Sequence, residues 1–136
     1  MKITSLIAGC VTALAITGST AMADVTMTGA QINALINGNT LYVEIPAGAP
    51  GAPHGGTAPV FYATDGAAAA LLPAGLKLVG TWALDGDSYC IDWNNGPKNS
   101  CTTLVRNADG FAVIDASKGE PRGIVRQIAT GNPENL

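Results

Sequence analysis

The chain has 136 residues, a formal net charge of −3 and only 12% charged residues, with 47% hydrophobic residues. Its length allows one domain beyond any leader. The few lysine and arginine residues are scattered, so nucleic acid and anionic membrane surfaces, which require clustered basic side chains, are poor partners.

Residues 1–23 have the three parts of a secretory signal peptide. Lys2 gives a positive start, Leu6 to Ile16 is mostly apolar and uncharged, and Ala21-Met22-Ala23 is a small-x-small cleavage site. The apolar run is shorter than the roughly 20 residues that a transmembrane helix needs. We therefore expect cleavage after Ala23, a periplasmic or secreted product, and no stable membrane insertion afterwards.

The segment Ile7-Ala8-Gly9-Cys10 offers an alternative, because it is similar to a bacterial lipoprotein signal whose cysteine becomes the lipidated N-terminus. Most of the apolar run lies after Cys10, however, whereas a lipoprotein cysteine follows that run. We therefore interpret Cys10 as an apolar residue of the signal peptide.

Residues 24–136 keep six basic and ten acidic side chains, a net charge of about −4. They open with a short predicted helix, N-capped by Thr28, with Gln31 completing a capping box and Gly38 as the stop. Its apolar face is formed by Ile32, Leu35 and Ile36. A helix of two to three turns is too short to be stable alone, so this face must pack on a larger body.

Apolar and polar residues alternate from Thr40 to Ile45, which is typical of a half-buried strand. Residues 46–59 contain four prolines and four glycines and are expected to form a long mobile loop. A second short strand is predicted over 60–63, closed by an Asp65-Gly66 turn. Residues 67–72 fit either a helical turn or a strand edge.

The second half of the chain alternates strands and turn signals at intervals of about 8–12 residues. This spacing predicts a mainly β fold, an antiparallel meander or small curled barrel with one short N-terminal helix. The domain is expected to span 24–130, with a frayed tail over 131–136. The predicted strands cover 76–84, 89–93, 101–106, 111–115 and 123–129.

Two cysteines, Cys90 and Cys101, remain after cleavage, and in an oxidising compartment such a pair favours a disulfide. A hairpin centred on Asn95-Gly96 places them directly opposite, with Cα atoms about 5 Å apart and within disulfide reach. Pro97 lacks the N–H that closes a two-residue turn, so a wider loop about the same centre is expected.

Candidate catalytic and metal sites are weak. His54 is the only histidine, and no Gly-x-Ser-x-Gly motif accompanies it, so a solvated loop residue is the simpler interpretation. Asp85-Gly86-Asp87 with Asp92 lacks the alternating acids and closing glutamate of a calcium loop. The cysteines favour each other over zinc, and no catalytic residue, metal or cofactor is predicted.

The tryptophans Trp82 and Trp93 are interpreted as core residues, or alternatively as the lining of a barrel mouth that contacts a small ligand. Trp82 is expected to point inward, because its strand face is the more apolar one. That face consists of Leu76, Leu78, Gly80, Trp82 and Leu84. Arg106, Arg122 and Arg126 could bind an anion near the C-terminal strands or simply be solvated.

Several of these motifs follow one another along the chain. The segment Tyr62 to Gly66 comes first and is followed by Gly80-Thr81-Trp82, Asp85-Gly86-Asp87, Tyr89-Cys90, Trp93 and Cys101. Over residues 28–115 this pattern resembles a group of small exported proteins of unknown function from Gram-negative bacteria. The resemblance implies a β-rich periplasmic domain and no established activity. The Gly/Pro-rich segment around His54 departs from the pattern.

The leading hypothesis is a non-enzymatic periplasmic domain that binds a small apolar molecule or an envelope partner. Trp82, Trp93 and His54 are the candidate contacts, at a barrel mouth and the 46–59 loop. One alternative is a disulfide-stapled inhibitor of an extracellular hydrolase, presenting the 46–59 or the 94–100 loop. Another is a hydrolytic enzyme that uses His54.

Overall fold

The alternating strands close on themselves. The computed structural model describes residues 23–136. Of the predicted signal peptide, only Ala23 is among the described residues, and Cys10 lies outside them. Eight consecutive strands each pair with the next in antiparallel fashion, and the last pairs with the first, which makes a barrel. The mainly β prediction is thus confirmed, in its closed form. The elements are β1 (Val25–Thr26), α1 (Gly29–Ile36), β2 (Asn39–Ile45), β3 (Gly56–Tyr62), β4 (Ala67–Leu71), β5 (Lys77–Asp85), β6 (Ser88–Trp93), β7 (Ser100–Asn107), β8 (Gly110–Asp115) and β9 (Pro121–Thr130).

The short helix α1 forms as the sequence predicts. Thr28 Oγ1 accepts a hydrogen bond from the backbone N–H of Gln31, whose side chain accepts one from the N–H of Thr28. Ile32 and Ile36 are fully buried in the barrel core. The chain leaves the helix through Gly38, whose φ of 78° suits glycine.

Helix α1 covers one end of the barrel. At its start, the N–H of Gly29 donates to the carboxylate of Asp87 in the β5–β6 turn, at 2.8 Å. Just after its end, the N–H of Gly38 donates to the carbonyl of Tyr62, beside the β3–β4 turn, at 2.7 Å. Because consecutive strands alternate in direction, these two turns lie at the same end of the barrel.

Side chains alternate between the barrel interior and its outer surface, as the period of two requires. On β6, Tyr89, Ile91 and Trp93 are buried, whereas Cys90 and Asp92 lie on the outer side. The two-residue strand β1 extends the same sheet, since it pairs with β7 at Val105 and Arg106, beyond the part of β7 that pairs with β6.

The Gly/Pro-rich segment is shorter and better packed than predicted. Strand β3 begins at Gly56, so the loop covers 46–55, and Pro59 lies within the strand. Proline is tolerated there because β4 pairs with β3 only from Val60 onward. Within the loop, Ala52 is fully buried, and the Gly51 carbonyl accepts a hydrogen bond from the N–H of Ala74 at 3.0 Å.

Two further segments take defined places. The segment 67–72, for which helix and strand were both open, contributes residues 67–71 to strand β4. The tail over 131–136, expected to fray, contacts β2. Thr40 Oγ1 donates to the carbonyl of Gly131 at 2.6 Å, and the hydroxyl of Tyr42 donates to Glu134 at 2.8 Å.

Across residues 23–136, no helix combines the length and apolar character required to cross a membrane.

Candidate functional site: the barrel cavity

The two ends of the barrel differ. Helix α1 covers one end, and the β2–β3, β4–β5, β6–β7 and β8–β9 connections surround the other. A cavity of about 520 Å³ extends from that second end into the barrel. This volume lies within the range of pockets that hold small molecules, about 300–1,000 Å³.

Small side chains on neighbouring strands create this space. The interior of an eight-stranded barrel is only just wide enough to be filled by ordinary side chains, so small inward residues leave room. Here Ala58 on β3 and Ala70 on β4 point inward and line the cavity, with exposures of 1% and 2%. A larger residue at either position would occupy the cavity instead of a ligand.

The wall of the cavity is mostly apolar and its rim is rich in proline. The larger apolar wall residues are Val43, Ile45, Val60, Leu72, Ile91, Trp93 and Val113. Pro46 and Pro50 come from the β2–β3 side, Pro97 from the β6–β7 loop, and Pro121 from the start of β9. Proline has a fixed φ and no N–H, so these residues make a stiff rim that offers few backbone donors.

One side of the mouth is charged. Asp115 Oδ1 accepts hydrogen bonds from the hydroxyl of Ser117 at 2.7 Å and from the N–H groups of Ser117 and Lys118 at 2.9 and 3.1 Å. Its second oxygen accepts from Nη2 of Arg122. The Ser117 hydroxyl and the Arg122 guanidinium together hold the pKa of Asp115 well below its ordinary range, so the carboxylate stays charged.

Arg122 is held by a second contact as well. Its Nη1 donates to the hydroxyl of Ser100 on β7 at 2.9 Å, and its side chain remains 39% exposed. Arg122 lines the cavity and also a shallower groove outside it, next to Pro46 and Pro121. The guanidinium therefore lies where the cavity meets solvent.

Deeper in the cavity, two tyrosines face each other. Tyr62 on β3 and Tyr89 on β6 are both buried; the hydroxyl of Tyr62 donates to that of Tyr89 at 3.2 Å, and their rings meet edge to face at 5.4 Å. Burial raises the pKa of both phenols, that of Tyr62 strongly. They therefore remain neutral hydroxyl groups at physiological pH.

The structure separates the three predicted ligand contacts. Trp93 is buried and lines the cavity. Trp82 is half-buried and lies outside the set of lining residues; its Nε1 donates to the carbonyl of Ala63 at 2.9 Å and its ring meets Tyr62 edge-on at 5.8 Å. His54 is exposed on the β2–β3 loop and is likewise no part of the cavity wall described here.

The predicted disulfide is present. Cys90 and Cys101 pair directly across the β6–β7 hairpin with their Cα atoms 4.0 Å apart, and they lie on the outer side of the barrel. The carboxylate of Asp85 comes near both sulfur atoms, but these are bonded to each other and are not free to bind a metal ion. The bond therefore belongs to the scaffold and not to the cavity.

The sequence predicted only one member of the Asp115–Arg122 ion pair at the mouth. It singled out Arg122 for a possible anion, together with Arg106 and Arg126, but the three do not converge. Arg126 pairs with Glu44, and Arg106 lies in a groove beside α1. Asp115, the partner of Arg122, was missed, because only the β8–β9 pairing brings the two together.

These features define an up-and-down β-barrel with an internal cavity open at one end. In comparisons with known proteins, no family model, no curated protein and no solved structure matches this chain.

Proposed function

We propose that this chain is an exported, non-enzymatic protein that binds a small, mostly apolar molecule inside its barrel. The observation that carries the proposal is the cavity of about 520 Å³, which has apolar walls and a stiff proline-rich rim. Ala58 and Ala70 keep the barrel interior open, although larger apolar side chains there would pack the core more tightly.

Two features support export to the periplasm. The bond between Cys90 and Cys101 favours an oxidising compartment, because such bonds are rare in proteins that remain in a reducing cytosol. Residues 1–23 have the charge, apolar run and cleavage pattern of a secretory signal.

Binding is favoured over catalysis by the state of the polar groups at the mouth. A nucleophile needs a base within hydrogen-bond reach. The hydroxyl of Ser100 accepts a hydrogen bond from Arg122, which cannot act as a base because it stays protonated. The hydroxyl of Ser117 does donate to a carboxylate, that of Asp115. The same hydroxyl and the Arg122 guanidinium hold the pKa of Asp115 well below its ordinary range, so this carboxylate is too weak a base to activate a nucleophile. His54 is exposed on the loop and lines no part of this site.

The test fills the cavity with one side chain. Ala70→Leu places a larger residue in the cavity, whereas Ala83→Leu, the matched control, adds the same side chain at an exposed position of β5. Titration calorimetry with decanol, a neutral apolar ligand, should show one site in the wild type and in Ala83→Leu. Ala70→Leu should bind at least about tenfold more weakly, with an unchanged circular dichroism spectrum.

A native readout complements this titration. Wild-type protein purified from the periplasm of its own host should carry small apolar molecules that mass spectrometry detects, and Ala70→Leu should not. A wild-type protein that binds no decanol, or an Ala70→Leu variant that binds it as tightly as the wild type, would contradict the proposal.

A further inference from the structure

Charge is distributed unequally between the two ends of the barrel. Near the end covered by α1, six acidic residues are accompanied by one basic residue, Arg106. The six are Asp24, Asp65, Asp85, Asp87, Asp109 and Glu134. Around the mouth, basic residues slightly outnumber acidic ones. The five basic ones are Lys77, Lys98, Lys118, Arg122 and Arg126, and the four acidic ones are Glu44, Asp92, Asp115 and Glu120. The field of the protein thus favours approach of an anion at the mouth over the closed end.

Among the described residues that line the cavity, Arg122 is the one with a cationic side chain. Its two protein hydrogen bonds, to Asp115 and Ser100, involve two of the five N–H donors that a guanidinium offers. The group is partly exposed at the junction of cavity and groove, so further donors are accessible to an oxygen atom that arrives from solvent.

Asp115 orients the guanidinium of Arg122 and does not prevent it from binding an anion. A bare carboxylate beside Arg122 would repel an incoming anion. The negative charge of Asp115, however, is offset by the hydroxyl and N–H of Ser117 and by the N–H of Lys118, in addition to Arg122 itself. With Ser100 on the other side, the guanidinium is held in one orientation before any ligand binds.

From this geometry we infer that the ligand is an amphiphilic anion; the inference rests on the proposed function. Its carboxylate, or a comparable oxyanion, is bound by Arg122 at the mouth, and its apolar body occupies the barrel beside Trp93. A guanidinium recognises such groups because its planar set of donors matches two oxygen atoms. The apolar wall and proline rim accept the body but offer little to a second charge.

The test compares three ligands of equal chain length: decanoate, decanol and decylamine. Decanoate should bind the wild type about 10-fold to 100-fold more tightly than decanol, as expected for a charge-assisted hydrogen bond in a partly buried site. Decylamine should bind most weakly, because its ammonium group would lie against Arg122. Raising the salt concentration should weaken the binding of decanoate and leave that of decanol unchanged.

Two arginine variants locate the effect. Arg122→Gln should bind decanoate no better than decanol while keeping the wild-type affinity for decanol. Arg126→Gln is the matched control, because it removes an ion-paired arginine of the same strand whose partner is Glu44 and which does not line the cavity. It should keep the full preference for decanoate.

The outcomes separate this inference from the proposed function. Equal affinities of the wild type for decanoate and decanol would overturn the anion inference and leave the apolar binding site standing. Absence of binding by all three ligands would overturn both. A preference that survives in Arg122→Gln, or that Arg126→Gln abolishes equally, would reject Arg122 as the anion-binding group. The salt titration of the wild type decides the question if Arg122→Gln fails to fold.

Discussion

The backbone N–H of Gly29 donates a hydrogen bond to the carboxylate of Asp87, a residue 58 positions later in the chain, at 2.8 Å. This contact attaches the first residue of α1 to the β5–β6 turn. The approach is so close that a Cβ on Gly29 would lie 2.1 Å from the carbonyl oxygen of Gly86. Glycine is therefore required where the helix meets the barrel.

The first prediction concerns this attachment. Asp87→Ala should lower the free energy of unfolding by about 1 kcal/mol, because the N–H of Gly29 loses its acceptor. Gly29→Ala should cost more, since α1 must shift away from the backbone of Gly86. Urea unfolding measures both effects. Asp109→Ala, which removes an exposed acid from another turn at the same end, should change little. An equal loss in Asp109→Ala would mean that net charge, and not the contact, is responsible.

The second prediction concerns the disulfide. Replacing Cys90 and Cys101 by serine should lower the free energy of unfolding by about 2–3 kcal/mol, because a short hairpin loop is no longer constrained in the unfolded chain. Binding of decanol should persist under conditions where the variant is folded, since the bond lies on the outer side of the barrel. A folded variant that binds no decanol would contradict the placement of the bond outside the binding site.

The third prediction separates the two tryptophans. Trp82→Phe removes the hydrogen bond to the carbonyl of Ala63 and should cost about 1 kcal/mol of stability with no effect on decanol affinity. Trp93→Phe changes the cavity wall, so it should alter decanol affinity. The change in tryptophan emission that accompanies decanol binding should accordingly survive in Trp82→Phe and be lost in Trp93→Phe. The reverse pattern would place the ligand at Trp82.

The fourth prediction is a dependence on pH. The pKa of Asp115 is lower in the folded chain than the value of about 4 expected after unfolding, so its contribution to stability is present at neutral pH and is lost as the pH falls below about 4. Asp115→Asn should therefore be clearly less stable than the wild type at pH 7, and the difference should shrink at pH 3. Urea unfolding at both values measures it. A difference that is constant with pH would contradict the assignment.

The fifth prediction concerns the β2–β3 loop. Ala52 is fully buried and Ala47 is exposed, so Ala52→Glu should lower the melting temperature by several degrees while Ala47→Glu should not. Replacing residues 48–55 by a Gly/Ser linker should also be destabilising, because the packed Ala52 and the Ala74–Gly51 hydrogen bond are lost. Unchanged melting in both cases would show that the loop contributes no packing.

Local chemistry made most of the strands predictable. Turn signals such as Asp85-Gly86 and Asn94-Asn95-Gly96 placed the strands β5 to β9 within about two residues, and the hairpin register placed Cys90 opposite Cys101. The capping box at Thr28 did the same for α1. These features depend on residues close in sequence, which single-chain patterns report well.

The cavity was not predictable in the same way. The alanine-rich segment Ala67 to Leu71 carries no clear period, because alanine is compatible with helix and strand, and only pairing with β3 and β5 makes Ala70 an inward residue. The prediction that this face of β5 points into the barrel is confirmed at Leu78, which is buried. Leu76 and Leu84 are 50% and 41% exposed, because they lie near the ends of β5 where the barrel no longer covers them.

The pairing of β2 with β9 affects the order in which the barrel folds. It joins the first and last strands of the barrel, and Thr40 bonds Gly131, 91 residues later. Contacts of such sequence separation form slowly, because a long loop of chain must be ordered first. Until β9 has emerged and docked, the growing sheet has open edges along β2 and β8, where foreign strands can pair. The cavity is therefore completed last, by the same step that removes these edges.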